Sequence, residues 1–184
     1  GNLLLEMPEA NLADQRVLIK NFSLLDSYVD YQSISSGEEK STVTDNEGSA
    51  EPFSWPDWEV ELSVVNIANN EVKYQVKGAP ETTGSFDPND MSLKGISFMA
   101  NNLFLRNDKA GITLNDFGFS EKSGFKLKDF RFKADIDDQS FVITGLEAAT
   151  GYSNLNGKAT LYYPSLAALV GNPEKASIDL AFNS

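Results

Sequence analysis

Asp135, Asp137 and Asp138 could supply the paired carboxylates of a glycoside hydrolase, an acid and a base or nucleophile flanking the scissile bond. They sit between FRFKA and SFVIT, where the pattern places a strand-to-strand turn, and nothing in their spacing singles out a pair. A solvated hairpin tip accounts for them. Asp87, Asn89 and Asp90 in FDPND resemble the start of a calcium loop. An EF-hand would carry a ligand at its fifth position and Gly at its sixth, where this chain has Met91 and Ser92. Asp-Pro-Asn therefore reads as turn chemistry. Trp55 and Trp58 flank Pro56 and have the ring area to stack on a sugar, yet Trp58 also continues the apolar parity of Val60 and Leu62. KSGFKLKDFRFK interleaves basic and aromatic residues, a texture of single-strand nucleic-acid binders. Here the alternation is that of a strand with one wet and one buried face.

What the chain lacks narrows the chemistry further. It has no His and no Cys, which removes a Ser–His–Asp triad, a His-based zinc site, thiol catalysis and a disulfide framework. The formal net charge of −12 is dispersed along the chain and argues against nucleic acid and anionic headgroups as partners. An apolar or neutral ligand stays open. No cofactor is implied. At 184 residues and 41% apolar composition the chain is long enough and apolar enough for one sizeable core. No run approaches the ~20 apolar residues of a membrane-spanning helix, and the start has no signal-peptide pattern. The opening Gly1-Asn2, without an initiator Met, suggests an excised piece of a longer polypeptide.

The elements that must position these residues are strands. Val17–Phe22 and Ser27–Gln32 read as two short strands around a turn at Leu25-Asp26. Residues 33–54 are rich in Ser, Thr, Glu and Gly and read as a flexible linker between the N-terminal strands, 1–32, and a main sheet unit, 55–184. Trp58, Val60, Leu62 and Val64 share a face, Val65 and Ile67 take the opposite parity, and a β-bulge near Val64-Val65 is expected. Asn69-Asn70 reads as the turn before Val72, Tyr74 and Val76. Residues 78–92 read as a loop. Ile96, Phe98 and Ala100 begin one strand, Leu103 and Leu105 the next, and Ile112 and Leu114 another. After the Glu121–Gly124 turn, Phe125 and Leu127 alternate, the phase slips at Asp129, and Phe130, Phe132, Ala134 and Ile136 continue to the Asp137-Asp138 turn and a strand with Phe141 and Ile143. Residues 165–170 form the one convincing helix, and Ile178, Leu180 and Phe182 mark a last strand. The expected class is all-β, a long curved antiparallel sheet, taco-like or an open sandwich, with one short helix.

Three segments in order carry a resemblance: W-x-V-x-L-x-V-x-N-I-x-N-N-x-V-x-Y (58–74) with FDPND-M-x-L-x-G-I (86–96), then FSEKSGFKLK (119–128), then LEAATGYSNLNGKATLYYPSL (146–166). The series resembles the TamB/AsmA-like envelope proteins of Bacteroidetes. The resemblance implies a parent anchored in the inner membrane and spanning the periplasm, built of repeated strands curled into a trough with an apolar interior. It further implies a role in outer-membrane assembly or phospholipid passage, with acyl chains and an outer-membrane assembly protein as partners, and no catalytic residues. The expected groove or core face comprises Trp58, Val60, Leu62, Ile96, Phe98, Phe125, Leu127, Phe130, Phe132, Phe141 and Ile143. A closed sandwich that buries these rows, and a secreted carbohydrate-binding sandwich using Trp55 and Trp58, are the competing expectations.

Overall fold

A computed structural model describes residues 1–34, 53–80 and 86–183. Eleven strands form one sheet: β1 (Asn2–Glu6), β2 (Glu9–Asn11), β3 (Arg16–Leu25), β4 (Tyr28–Ile34), β5 (Glu59–Lys77), β6 (Asp90–Arg106), β7 (Lys109–Glu121), β8 (Lys126–Asp137), β9 (Ser140–Thr150), β10 (Asn154–Tyr162) and β11 (Ser177–Asn183). The lateral order is β1-β3-β5-β6-β7-β8-β9-β10-β11, with β2 beside β3 and β4 beside β5. The sheet is open, and extensive contacts between strands occur only between hydrogen-bonded neighbours. No second layer covers it among the described residues, so the apolar rows do not pack as the closed sandwich core of the competing expectation.

The all-β class stands as expected, and α1 (Leu166–Gly171) is the one α-helix among the described residues. The sheet is mixed rather than antiparallel, because β3 and β4 both run parallel to β5. The chain does not reverse at Leu25-Asp26; β3 and β4 continue in one direction along the full length of β5. A parallel arrangement of this kind needs a long connection between the strands, and twenty-four residues separate Ile34 from Glu59 in sequence. Most of the expected linker lies outside the described residues, but Ser33 and Ile34 belong to β4.

Two expected strand ends are creases inside long strands. Asn69-Asn70 lies within β5, and the Asn101-Asn102 break between expected strands lies within β6, whose true hairpin turn is at Asn107-Asp108. Asn69 and Asn102 have φ of 53° and 52°, the left-handed conformation that Asn tolerates better than most residues. Asp26, Gly95 and Gly145 share it, at φ 52°, 59° and 59°. Each of these residues lies where the apolar parity of its strand reverses: Leu24 to Val29, Ile67 to Val72, Leu93 to Ile96, Ala100 to Leu103, and Ile143 to Leu146. A residue left out of the pleat bends its strand and adds twist, while the same face stays apolar on both sides of the bend.

The expected slip near Val64-Val65 occurs at Ser63, directly opposite Asn102. Leu62 and Val65 join one cluster although their parity differs, while Val64 is exposed. Both strands slip together there, so the pairing from Val60 to Ile67 shows no shift of register. At Asp129 the β8–β9 register does shift, between Leu127 and Asp129, as the pattern indicates.

Candidate functional site: an uncovered apolar face

Residues paired across neighbouring strands project from the same side of a sheet. Following the pairs from Val65 to Ala100, Ala100 to Leu114 and Leu114 to Phe132 defines one face through the middle of the molecule. Val60 pairs with Leu105, Leu105 with Ala110, Ala110 with Ile136, and Ile136 with Phe141 on that same side. Towards one edge it continues through Phe22 and Leu24 of β3 to Leu5 and Leu3 of β1. Towards the other it continues through Leu161 and Ala159 of β10 to Ile178 and Leu180 of β11. One face is thus predominantly apolar from edge to edge, with Asn70, Glu121 and Thr150 as polar members beside Ile96, Leu93 and Leu127.

The opposite face is wet and ionic. Arg106 pairs with Glu61 at 2.7 Å, Lys133 with Asp135 at 2.9 Å, and Arg131 with Glu147. All are on strands of alternating parity, so the segregation follows from the period-two pleat.

Val60, Leu62, Ile96, Phe98, Leu127, Phe130, Phe132, Phe141 and Ile143 all lie on the apolar face by register. Trp58 precedes β5 in the same parity and is half-buried. Phe125 stands in the turn before β8, and its ring lies 5.9 Å from Phe119, which pairs with Leu127. Aromatic rings run in contact along this side, with Phe98–Phe117 at 6.1 Å and Phe130–Phe132 at 5.4 Å. The N-terminal and C-terminal contributions, Leu3, Leu5, Ile178, Leu180 and Phe182, extend the expected set, and Ala100, Ala110, Ala134 and Ala159 are among its small members. The Ile178–Phe182 alternation carried that signal, whereas Leu3-Leu4-Leu5 is a continuous apolar run without a period.

Burial on this face is shallow. Val65, Ala100 and Leu114 form its buried centre, packed by Phe22, Leu62, Ile67, Phe98, Ile112, Phe117, Phe130 and Phe132. No large side chain is fully buried among the described residues. At the edges Leu3 is 68% and Ile178 59% exposed. Among the described residues a cleft of about 310 Å³ opens here, with Leu105, Ala110, Ala134, Ile136 and Phe141 among its lining residues.

The other candidates resolve into turn and packing chemistry. Asp137 accepts the backbone N–H groups of Gln139 at 2.8 Å and Ser140 at 2.7 Å at the β8–β9 turn. The Gln139 bond, opposed by desolvation and aided by Ser140, holds its carboxyl below the usual carboxylate range. Asp138 accepts the N–H of Leu166 at 3.3 Å, and the Tyr163 hydroxyl donates to the Asp137 carbonyl at 2.9 Å, so this turn seats α1. Asp87 is buried and accepts the Asn89 N–H at 2.9 Å, an Asx turn. Trp55 is half-buried, edge-on to Phe53 at 5.5 Å, and is not an exposed platform.

The EKSGF turn has a physical reason for its Glu. Glu121 is buried and accepts the N–H groups of Ser123 at 2.7 Å and Ser92 at 3.3 Å. Burial alone would raise its pKa, but these bonds outweigh it and the carboxyl lies below its ordinary value.

No family model, curated protein or solved structure matches the chain. Among the described residues no helix is long and apolar enough to cross a membrane.

Proposed function

We propose that this chain is a non-enzymatic segment of a periplasm-spanning envelope protein of the TamB/AsmA-like type, whose parent is anchored in the inner membrane. Its apolar sheet face shelters phospholipid acyl chains, and an outer-membrane assembly protein is the expected partner of the whole. The observation that carries the reading is a predominantly apolar face that crosses the sheet from β1 to β11 and has no second layer on it among the described residues. A single-layer sheet leaves that area in water, and each methylene that covers it contributes ~0.8 kcal/mol. Hydrocarbon chains suit such a face because they bring no hydrogen-bonding groups to be stranded there.

Native mass spectrometry of protein purified without detergent tests the proposal. Co-purified phospholipid, lost when Phe98 and Phe132 are replaced together by Asp, is the expected result. A lipid-free spectrum from membrane-exposed protein would count against it.

A further inference from the structure

We infer that the wet face carries a binding site for a compact phosphate group, centred on Ser120 between Lys94 and Lys126. It lies on the side of the sheet away from the apolar face and does not depend on what that face binds. Lys94 on β6 pairs with Ser120 on β7, and Ser120 pairs with Lys126 on β8, so the three project from one side in a single row. Phe119 and Leu127, the next pair along, project from the apolar side. Lys128, two residues beyond Lys126, returns to the wet side, where Ser97 pairs with Gly118 in the adjoining row.

Strand spacing puts the Lys94 and Lys126 backbones ~10 Å apart and Lys128 ~7 Å from Lys126. Ser120 fills the row between them with a short side chain, and buried Gly118 beside it has none. Three long, flexible ammonium side chains thus surround a low floor that offers two hydroxyl donors, Ser97 and Ser120. All three lysines are exposed, and among the described residues none of them forms an ion pair. The neighbouring cations are already paired, Lys122 with Asp90, and Arg131 with Asp129 and Glu147. Beyond β8 the same side continues with Ala149 and Asn154, which are neutral.

The border sets the size of the occupant. Glu71, between Asn70 and Val72 of β5, and Asp116, two residues before Gly118, stand on the same side with the opposite charge. A nucleic acid or an acidic peptide laid across the patch would run onto them, on a chain whose net charge is −12. A single phosphate at Ser120 stands two strands from Glu71 and four residues from Asp116, ~10 Å or more from either backbone. That exceeds the Debye length of ~8 Å at physiological salt. A phosphomonoester suits the site better than a diester, because it brings close to two charges and three acceptor oxygens to three ammonium groups.

Two probes that share the phosphomonoester test this: glycerol 3-phosphate, titrated into isotopically labelled protein and followed by amide NMR, and phosphatidic acid in phosphatidylcholine vesicles, followed by co-flotation. The expected result is saturable shifts of the Lys94, Ser97, Gly118, Ser120, Lys126 and Lys128 amides with glycerol 3-phosphate, weakened by added salt. Lys94→Gln and Lys126→Gln each weaken binding roughly threefold and together about tenfold, as for exposed ion pairs. Lys158→Gln, on the same face of β10, leaves it unchanged. Flotation that phosphatidic acid raises above phosphatidylcholine alone, and that the double variant loses, upholds the site as one for a lipid headgroup. Binding of glycerol 3-phosphate without such flotation upholds it as one for a soluble ligand. Absence of saturable shifts at these amides, or undiminished affinity in the double variant, would overturn the site. A response to an oligoglutamate peptide alone would overturn it in favour of an acidic polypeptide. The shift map of the unsubstituted protein decides the matter even if the double variant fails to fold.

Discussion

Replacing Asn70 by Ala should unfasten the first crease. Asn70 is 5% exposed. Its Oδ1 accepts the Ser27 N–H at 2.7 Å, and its Nδ2 donates to the Leu24 carbonyl at 2.9 Å. These two bonds replace the strand pairing that the chain forgoes between β3 and β4, where Asp26 stands in the left-handed region. Alanine leaves one backbone donor and one backbone acceptor without their partner in a partly buried place. Each such group costs about 1–3 kcal/mol, and partial access of water puts the pair at about 2–3 kcal/mol. For a chain of this size that corresponds to a fall in Tm of roughly 4–12 °C. Urea unfolding followed by far-UV circular dichroism measures it, with exposed Asn154→Ala as a control expected within about 0.5 kcal/mol of the parent. A loss below about 0.5 kcal/mol for Asn70→Ala, with unchanged denaturant slope, would refute the idea that this side chain holds the crease.

Other substitutions separate the contributions. Asn69→Val, a β-branched side chain at φ 53°, should cost about 1–2 kcal/mol by the same unfolding assay, and Gly95→Val at φ 59° should do likewise. Arg106→Ala should cost less than about 1 kcal/mol, because its bond to Glu61 is exposed and screened by salt. Glu121 has a depressed carboxyl pKa, so its stabilising contribution is full above the unfolded carboxylate range, about 4.3. That contribution is lost as pH falls through the lower folded value. Glu121→Gln should therefore flatten the fall in stability below about pH 4.5, which unfolding curves at a series of acid pH values would show.

The strands were legible because alternation is a local property, and the apolar residues of the main sheet declared their face two by two. Direction and continuity were not local. Asn69-Asn70 and Asn101-Asn102 carry turn chemistry, and a left-handed Asn serves a crease as readily as a hairpin; only the partner strand decides which. Asp26 posed the same ambiguity, and its resolution depended on β5, more than forty residues away. The phase slips were the better signal, since a reversal of parity with no loss of apolar character marks a bend in a continuing strand. The wet face was readable from KSGFKLKDFRFK, while the absence of a covering layer was not. Pattern tells which side of a strand is apolar and is silent about what lies against it.

The central claim is that one face of this sheet is open and takes hydrocarbon, with its parity reversing at each crease. The chain has no Cys, so single-Cys spin labels can be placed cleanly along β9 at Phe141, Val142, Ile143, Thr144, Leu146, Glu147, Ala148 and Ala149. Collision with oxygen and with a water-soluble nickel complex, measured with phosphatidylcholine bicelles present, reports which labels enter hydrocarbon. The expected result is protection at 141, 143, 146 and 148 and aqueous exposure at 142, 144, 147 and 149, a pattern that breaks step at Gly145. Uniform aqueous exposure, or an alternation that runs unbroken through Gly145, would contradict the account.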